Sequence, residues 1–132
     1  MGLDIVISDQ REEINRVISK VFKYLTDLNI DNEELNFKVE LCLRELLANA
    51  IEHGCKDSGE EKIYIKIQSK EREQLIIIIK DPGSGFQWKE EISREMPKIA
   101  ERGRGLPMVQ SVVEKMNFND QGNKVIVYLH LN

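Results

Sequence analysis

The sequence predicts a two-layer α+β sandwich, with helices on one face of a mostly antiparallel mixed sheet. Amphipathic helical segments follow one another near the start, and strand-like segments follow one another with only a short polar connection. Strands and helices do not alternate regularly, which argues against a doubly wound fold.

Residues 3–7 read as a short strand. Asp9 and Glu12 have the spacing of a capping pair. Behind them Ile14, Val17, Ile18, Val21, Phe22, Leu25 and Leu28 mark one apolar helical face. Asp31-Asn32-Glu33-Glu34 repeats the start signal for a second helix, whose buried side is Val39, Leu43, Leu46 and Ala50. His53-Gly54 is expected to end it, glycine suiting a left-handed cap. Ile63, Ile65 and Ile67 alternate with polar residues as in a half-buried strand. A polar connection through residues 69–74 leads to residues 75–79, a run too apolar for an exposed edge, so an antiparallel hairpin is predicted. Residues 81–105 lose periodicity and are rich in glycine, the expectation for a functional loop such as a lid. Pro107 fits the first turn of a third helix carrying Met108, Val109, Val112, Val113 and Met116. Residues 125–131 form a closing strand.

At 132 residues the chain fits one domain, 1–132, able to bury a core without disulfides. Its 41% hydrophobic and 32% charged residues are those of an ordinary globular protein. A formal net charge of -4 gives no footprint for a nucleic-acid backbone. Cys42 and Cys55 lack metal-ligand spacing and read as buried free thiols. Neither a signal peptide nor an apolar run of bilayer length is evident, so cytoplasmic residence is expected and a membrane partner is not.

Polar clusters stand out against this frame. Glu45, Asn49 and His53 recur at i, i+4 and i+8 beside the apolar face of the second helix, where a polar row can line a cleft. Taken alone it also fits a solvated helix edge. Asp81-Pro82-Gly83-Ser84-Gly85-Phe86 follows the most apolar strand; its aspartate can accept from a ligand amine and its glycines permit close backbone approach, although a lone Asp-Pro-Gly is an ordinary turn. Arg102-Gly103-Arg104-Gly105 precedes the third helix, where amide N–H groups, the helix dipole and arginines favour phosphate, or where a flexible basic loop would serve as well. It is not a Walker A motif.

Together, in this order and spacing, these segments resemble the N, G1 and G2 boxes of the GHKL (histidine-kinase-like) ATPases: Glu45 to Gly54, Asp81 to Phe86, and Gly103-Arg104-Gly105-Leu106. The resemblance covers essentially the whole chain and is greatest to bacterial anti-sigma factors that are also serine kinases. It implies the Bergerat-type ATPase fold, with ATP and Mg²⁺ as cofactors. It implies that Asn49 offers its oxygen to Mg²⁺ and that Asp81 accepts from the adenine amine, which guanine lacks. Gly83 and Gly85 would let the backbone close on the base, and Gly103 and Gly105, with Arg102 or Arg104, would hold the phosphates; His53, Phe86 and Leu106 belong to the N, G1 and G2 boxes and to the same nucleotide-binding set. Glu45 would be the general base. The implied partners are a STAS-type anti-anti-sigma protein, a sigma factor and a second copy of the chain. An ATP-dependent protein-binding switch without phosphotransfer is the alternative. A two-component kinase is a poor fit, because only His53 and His130 are present; a hydrolase would release phosphate without an acceptor. The Gly-Thr often found before the last strand is replaced by Gly122-Asn123-Lys124, which leaves that nucleotide contact missing or replaced.

Overall fold

The computed structural model describes residues 2–55, 62–83 and 105–131. Its elements are β1 (Gly2–Ile7), α1 (Glu12–Asp27), α2 (Glu33–Asn49), a π-helical turn (Ala50–Cys55), β2 (Ile63–Lys70), β3 (Gln74–Lys80), α3 (Gly105–Val112), β4 (Lys115–Phe118) and β5 (Lys124–His130). The strands form one sheet in the order β1-β2-β3-β5-β4, and every pairing in it is antiparallel.

Alternation decides which side of the sheet the helices cover. Ile5, Ile65, Ile77 and Val127 are buried on the helical side, with Leu75, Ile79 and Leu129 beside them. On α1, Ile14, Val17, Ile18, Val21 and Leu25 form the buried stripe, and on α2 Leu35, Val39, Cys42, Leu43, Leu46 and Leu47 do so. Both cysteines are buried, and burial pushes the Cys42 thiol from 9.0 up to about 12, so it stays protonated as a core side chain. The run at residues 75–79 is apolar throughout because β3 sits between β2 and β5; its other face carries Ile76 and Ile78, opposite Tyr128 and Ile126.

The helix ends differ in part from expectation. Asn32 caps α2, its Oδ1 accepting from the Leu35 N–H at 3.0 Å. Asp9 does not cap α1: the N-cap is Arg11, with no side-chain hydrogen bond, and Asp9 instead accepts from Gln10 Nε2. At the other end of α1, Asn29 adopts a φ of 61°, the Asn29 N–H reaches Thr26 O and the Ile30 N–H reaches Leu25 O, a Schellman closure. Met116 belongs to β4 and not to the third helix, which stops at Val112.

The β2–β3 hairpin turns through Glu71 (φ 53°) and Arg72 (φ 59°), closed by the Glu73 N–H to Lys70 O bond. Positive φ at both central residues matches the right-handed twist of the strands, yet side chains there are strained. Arg72 is partly compensated, because Nη2 donates to Leu28 O at 2.7 Å and fastens the turn to the end of α1. Glu71 is exposed and makes no such bond among the described residues. Glu71→Asn is therefore expected to stabilise the fold by about 0.5–1 kcal/mol, read as a rise of a few degrees in Tm. An unchanged or lower Tm would contradict the strain.

Candidate functional site

The site lies where the end of α2 faces the ends of β3 and β5. Here the backbone leaves the α-helical path: α2 ends at Asn49 and the chain continues as a π-helical turn over Ala50–Cys55. Wider turns of this kind recur at functional sites because they re-aim the residues that follow. Glu45 and Asn49 share one face of α2 a single turn apart, both half-buried. His53 falls in the π-helical turn, so the straight row expected from α-helical spacing does not extend to it; its side chain lies outside the described residues.

Gly54 does not take the left-handed cap conformation. Among the described residues Gly122 is the glycine with positive φ. Gly54 is required for a different reason: a Cβ there would fall on the Asp81 side chain, meeting its Cβ at 2.5 Å. Gly83 packs against the same spot, where a Cβ would lie 2.7 Å from Gly54 Cα and 3.1 Å from Asp81 Oδ1. The two glycines thus form a close-packed backbone cradle around the aspartate.

Asp81 directly follows β3, and hydrogen bonds hold it from two directions. Its N–H donates to Asn123 O at 3.0 Å, and its Oδ1 accepts from the Gly83 N–H at 2.8 Å, the geometry of an Asx turn. A cleft opens beside it. Asn49, Asp81 and Asn123 line the cleft's polar side, and Leu46, Ala50, Ile79, Phe118 and Val125 its apolar wall, with Gly122 and Lys124 completing it. Its apolar wall and few fixed polar groups have the chemistry that suits a flat heterocycle carrying a hydrogen-bond donor, in a cavity of about 10 Å³ that must widen to admit one.

Glu45 meets a different element. A Cβ on Gly105 would run into Oε2 of Glu45 and stand 3.2 Å from its Cδ, so this carboxylate lies against the first residue of α3. A carboxylate is favoured at that positive helix end. Leu106 is buried at 2% exposure, a core residue at the start of α3. The structure therefore brings Asn49 and Asp81 together at the cleft, Gly83 together with Asp81, and Glu45 together with Gly105. Gly85, Phe86, Arg102, Gly103 and Arg104 lie outside the described residues.

The donor set also bears on Mg²⁺. Among the described residues no group of His, Cys, Asp and Glu could hold a metal by itself. The Asn49 amide oxygen is a hard donor of the kind Mg²⁺ accepts, and this ion ordinarily shares protein ligands with phosphate oxygens and water. The residues fit a Mg–nucleotide in that sense.

Sequence reading missed the β4–β5 turn as a wall of the site. Asn119, Gly122 and Asn123 form it, with Gly122 at a φ of 81°. Its signal was the Asn-x-x-Gly spacing between short apolar segments, read only as a departure at Gly122-Asn123-Lys124.

Residues 7–129 match the family described as the histidine kinase-like ATPase domain. The chain belongs to that family. Curated relatives include anti-sigma F factors from Bacillus licheniformis, 23% identical across 99% of this chain and 92% of that protein, and from Bacillus subtilis, 24% identical over the same shares. One from Shouchella clausii is 26% identical over 88% of this chain and 80% of its own length. Among solved structures, the RsbU and RsbW domains of Rv1364c from Mycobacterium tuberculosis align with a TM-score of 0.69 at 16% identity, covering 98% of this chain and 32% of that longer one. That likeness bears on the fold. As a histidine kinase-like ATPase domain, the protein has its cradle of Gly54, Gly83 and Asp81 on the described part of the family's match. Among the described residues, no helix is long and apolar enough to cross a membrane.

Proposed function

We propose that this protein is an ATP-binding anti-sigma factor with protein serine kinase activity, acting in the bacterial cytoplasm. It would phosphorylate a STAS-type anti-anti-sigma partner on serine and so govern a sigma factor by partner switching. The resemblance to proteins named anti-sigma F factor supports the regulatory half of this reading. The observation that carries the enzymatic half is the placement of Glu45. It sits one helical turn from Asn49, with its carboxylate against the start of α3.

Each side chain has a task. Asp81, held by the Gly83 N–H, would accept a hydrogen bond from the exocyclic amine of adenine; guanine would bring a carbonyl oxygen against the carboxylate. Leu46, Ala50 and Ile79 would cover the faces of the base. Asn49 would hold Mg²⁺ through its amide oxygen, and the ion when bound supplies positive charge to the phosphate oxygens. Glu45 would take the proton of the acceptor serine. Catalysis of phosphoryl transfer is mainly positioning and electrostatics, which suits a site of few reactive groups. Gly85 and Phe86 near the base, and His53, Arg102, Gly103, Arg104, Gly105 and Leu106 towards the phosphates, complete the proposed set.

A homodimer is part of the proposal. The face of the sheet that no helix covers among the described residues brings Ile76 beside Tyr128 and Ile78 beside Ile126, an apolar centre suited to a second copy. Sedimentation showing only monomer at roughly tens of micromolar, a concentration that tests weak association, would contradict it.

Incubation with γ-labelled ATP, Mg²⁺ and a STAS-type protein tests the enzymatic reading. Label on an acceptor serine is the expected result. ATP-dependent partner binding with no transferred label would favour the alternative of a protein-binding switch.

A further inference from the structure

We infer that Asn123, oriented by Asn119, is a positioning residue that fixes the direction in which Asp81 presents its carboxylate to the cleft. The inference rests on reading that cleft as the nucleotide site and adds to it a selectivity device.

Backbone groups dictate how both carboxamides point. Asn119 Oδ1 accepts from the N–H groups of Gly122 at 2.8 Å, Asn123 at 3.0 Å and Lys124 at 3.3 Å. These donors require the oxygen, so the nitrogen of Asn119 faces the other way and donates to Asn123 Oδ1 at 2.6 Å. With its oxygen engaged there, Asn123 turns Nδ2 towards Gly83 O and donates at 3.0 Å in a partly buried position. Gly83 is the residue whose N–H holds Asp81 Oδ1, and the Asp81 N–H returns to Asn123 O. The result is a closed ring: Asn123 grips the aspartate directly through the backbone and indirectly through Gly83. Gly54 packs close against both Asp81 and Gly83.

A carboxamide offers a donor and an acceptor on separate atoms, so it can be steered from one side while it grips on the other. Threonine, with one hydroxyl, offers both functions from a single atom. The replacement seen at Gly122-Asn123-Lys124 is thus paired with Asn119, four residues earlier. Because Asn123 acts through Asp81, its removal should weaken recognition of the amine and spare the rest of the nucleotide.

The test compares ATP with purine riboside triphosphate, whose base carries a hydrogen where adenine carries the amine. Affinities are measured by calorimetry, with Mg²⁺, on wild type, Asn123→Ala, Asn119→Asp and the double variant, together with Tm. Asn119→Asp keeps the acceptor for the backbone donors but sets a second oxygen against Asn123 Oδ1. Asn123→Ala should weaken ATP roughly three- to tenfold, the usual worth of one hydrogen bond, and change the affinity for purine riboside triphosphate by less than about twofold. Asn119→Asp should move ATP affinity the same way, and the double variant should lose no more than Asn123→Ala alone. Equal losses for ATP and purine riboside triphosphate would make Asn123 merely structural and overturn the inference. Unchanged ATP affinity in Asn123→Ala would overturn it and leave the nucleotide site standing. A wild type that binds neither nucleotide would bring down both.

Discussion

Glu45→Ala is expected to lower phosphate transfer to an acceptor serine by roughly 10²- to 10⁴-fold, the range for loss of a general base, while ATP affinity stays close to that of wild type. The two effects separate because of where the carboxylate lies. It rests against Gly105 and is not among the residues that line the cleft, whereas Asp81, Asn49 and Asn123 are. Removing it leaves those cleft residues in place. Single-turnover transfer, measured beside a binding titration, is the check. Preserved transfer would remove Glu45 from the chemistry, and equal loss of binding and transfer would make it a nucleotide ligand instead.

Gly54→Ala is expected to abolish most ATP binding, at least tenfold by the worth of a hydrogen bond to a charged group. It should also cost about 1–3 kcal/mol of stability, as overpacking does. The new methyl would land on the Asp81 side chain, including its Cβ at 2.5 Å. That atom is bonded to the backbone, so no change of rotamer clears it, and either the aspartate or the π-helical turn must shift. Calorimetric affinity and Tm are the readouts. A variant that melts like wild type and binds ATP normally would show that the contact with Asp81 is not needed.

Features set by local chemistry were legible in the sequence. The helical stripe from Ile14 to Leu25 and the alternation of Ile63, Ile65 and Ile67 emerge as expected, because apolar spacing translates directly into one buried face. Asn32 lies within the start signal read for α2 and caps it. Features set by tertiary contact were not legible. Asp9 and Glu12 have capping spacing, but α1 begins after Arg11 and makes no such bond. Gly54 reads as a helix stop, yet its role is close approach to a residue 27 positions further on, which spacing cannot reveal. Met116 continues a helical period into what is a strand, because pairing with Val127 of β5 overrides local preference. Within the site, Asp81 and Asn49 could be named from their motifs. Asn119 and Asn123 could not, since their meaning depends on a hairpin turn folding back onto Gly83.

The central claim is a nucleotide site built around Asp81, and calorimetric titration of wild type and Asp81→Asn with ATP and GTP, each with and without Mg²⁺, tests it most directly. The account predicts saturable, Mg²⁺-dependent ATP binding by wild type, no binding of GTP, and a loss of roughly 10- to 100-fold in the variant, the worth of a charge-assisted hydrogen bond. Wild-type protein that binds ATP no better than GTP, or not at all, would contradict it.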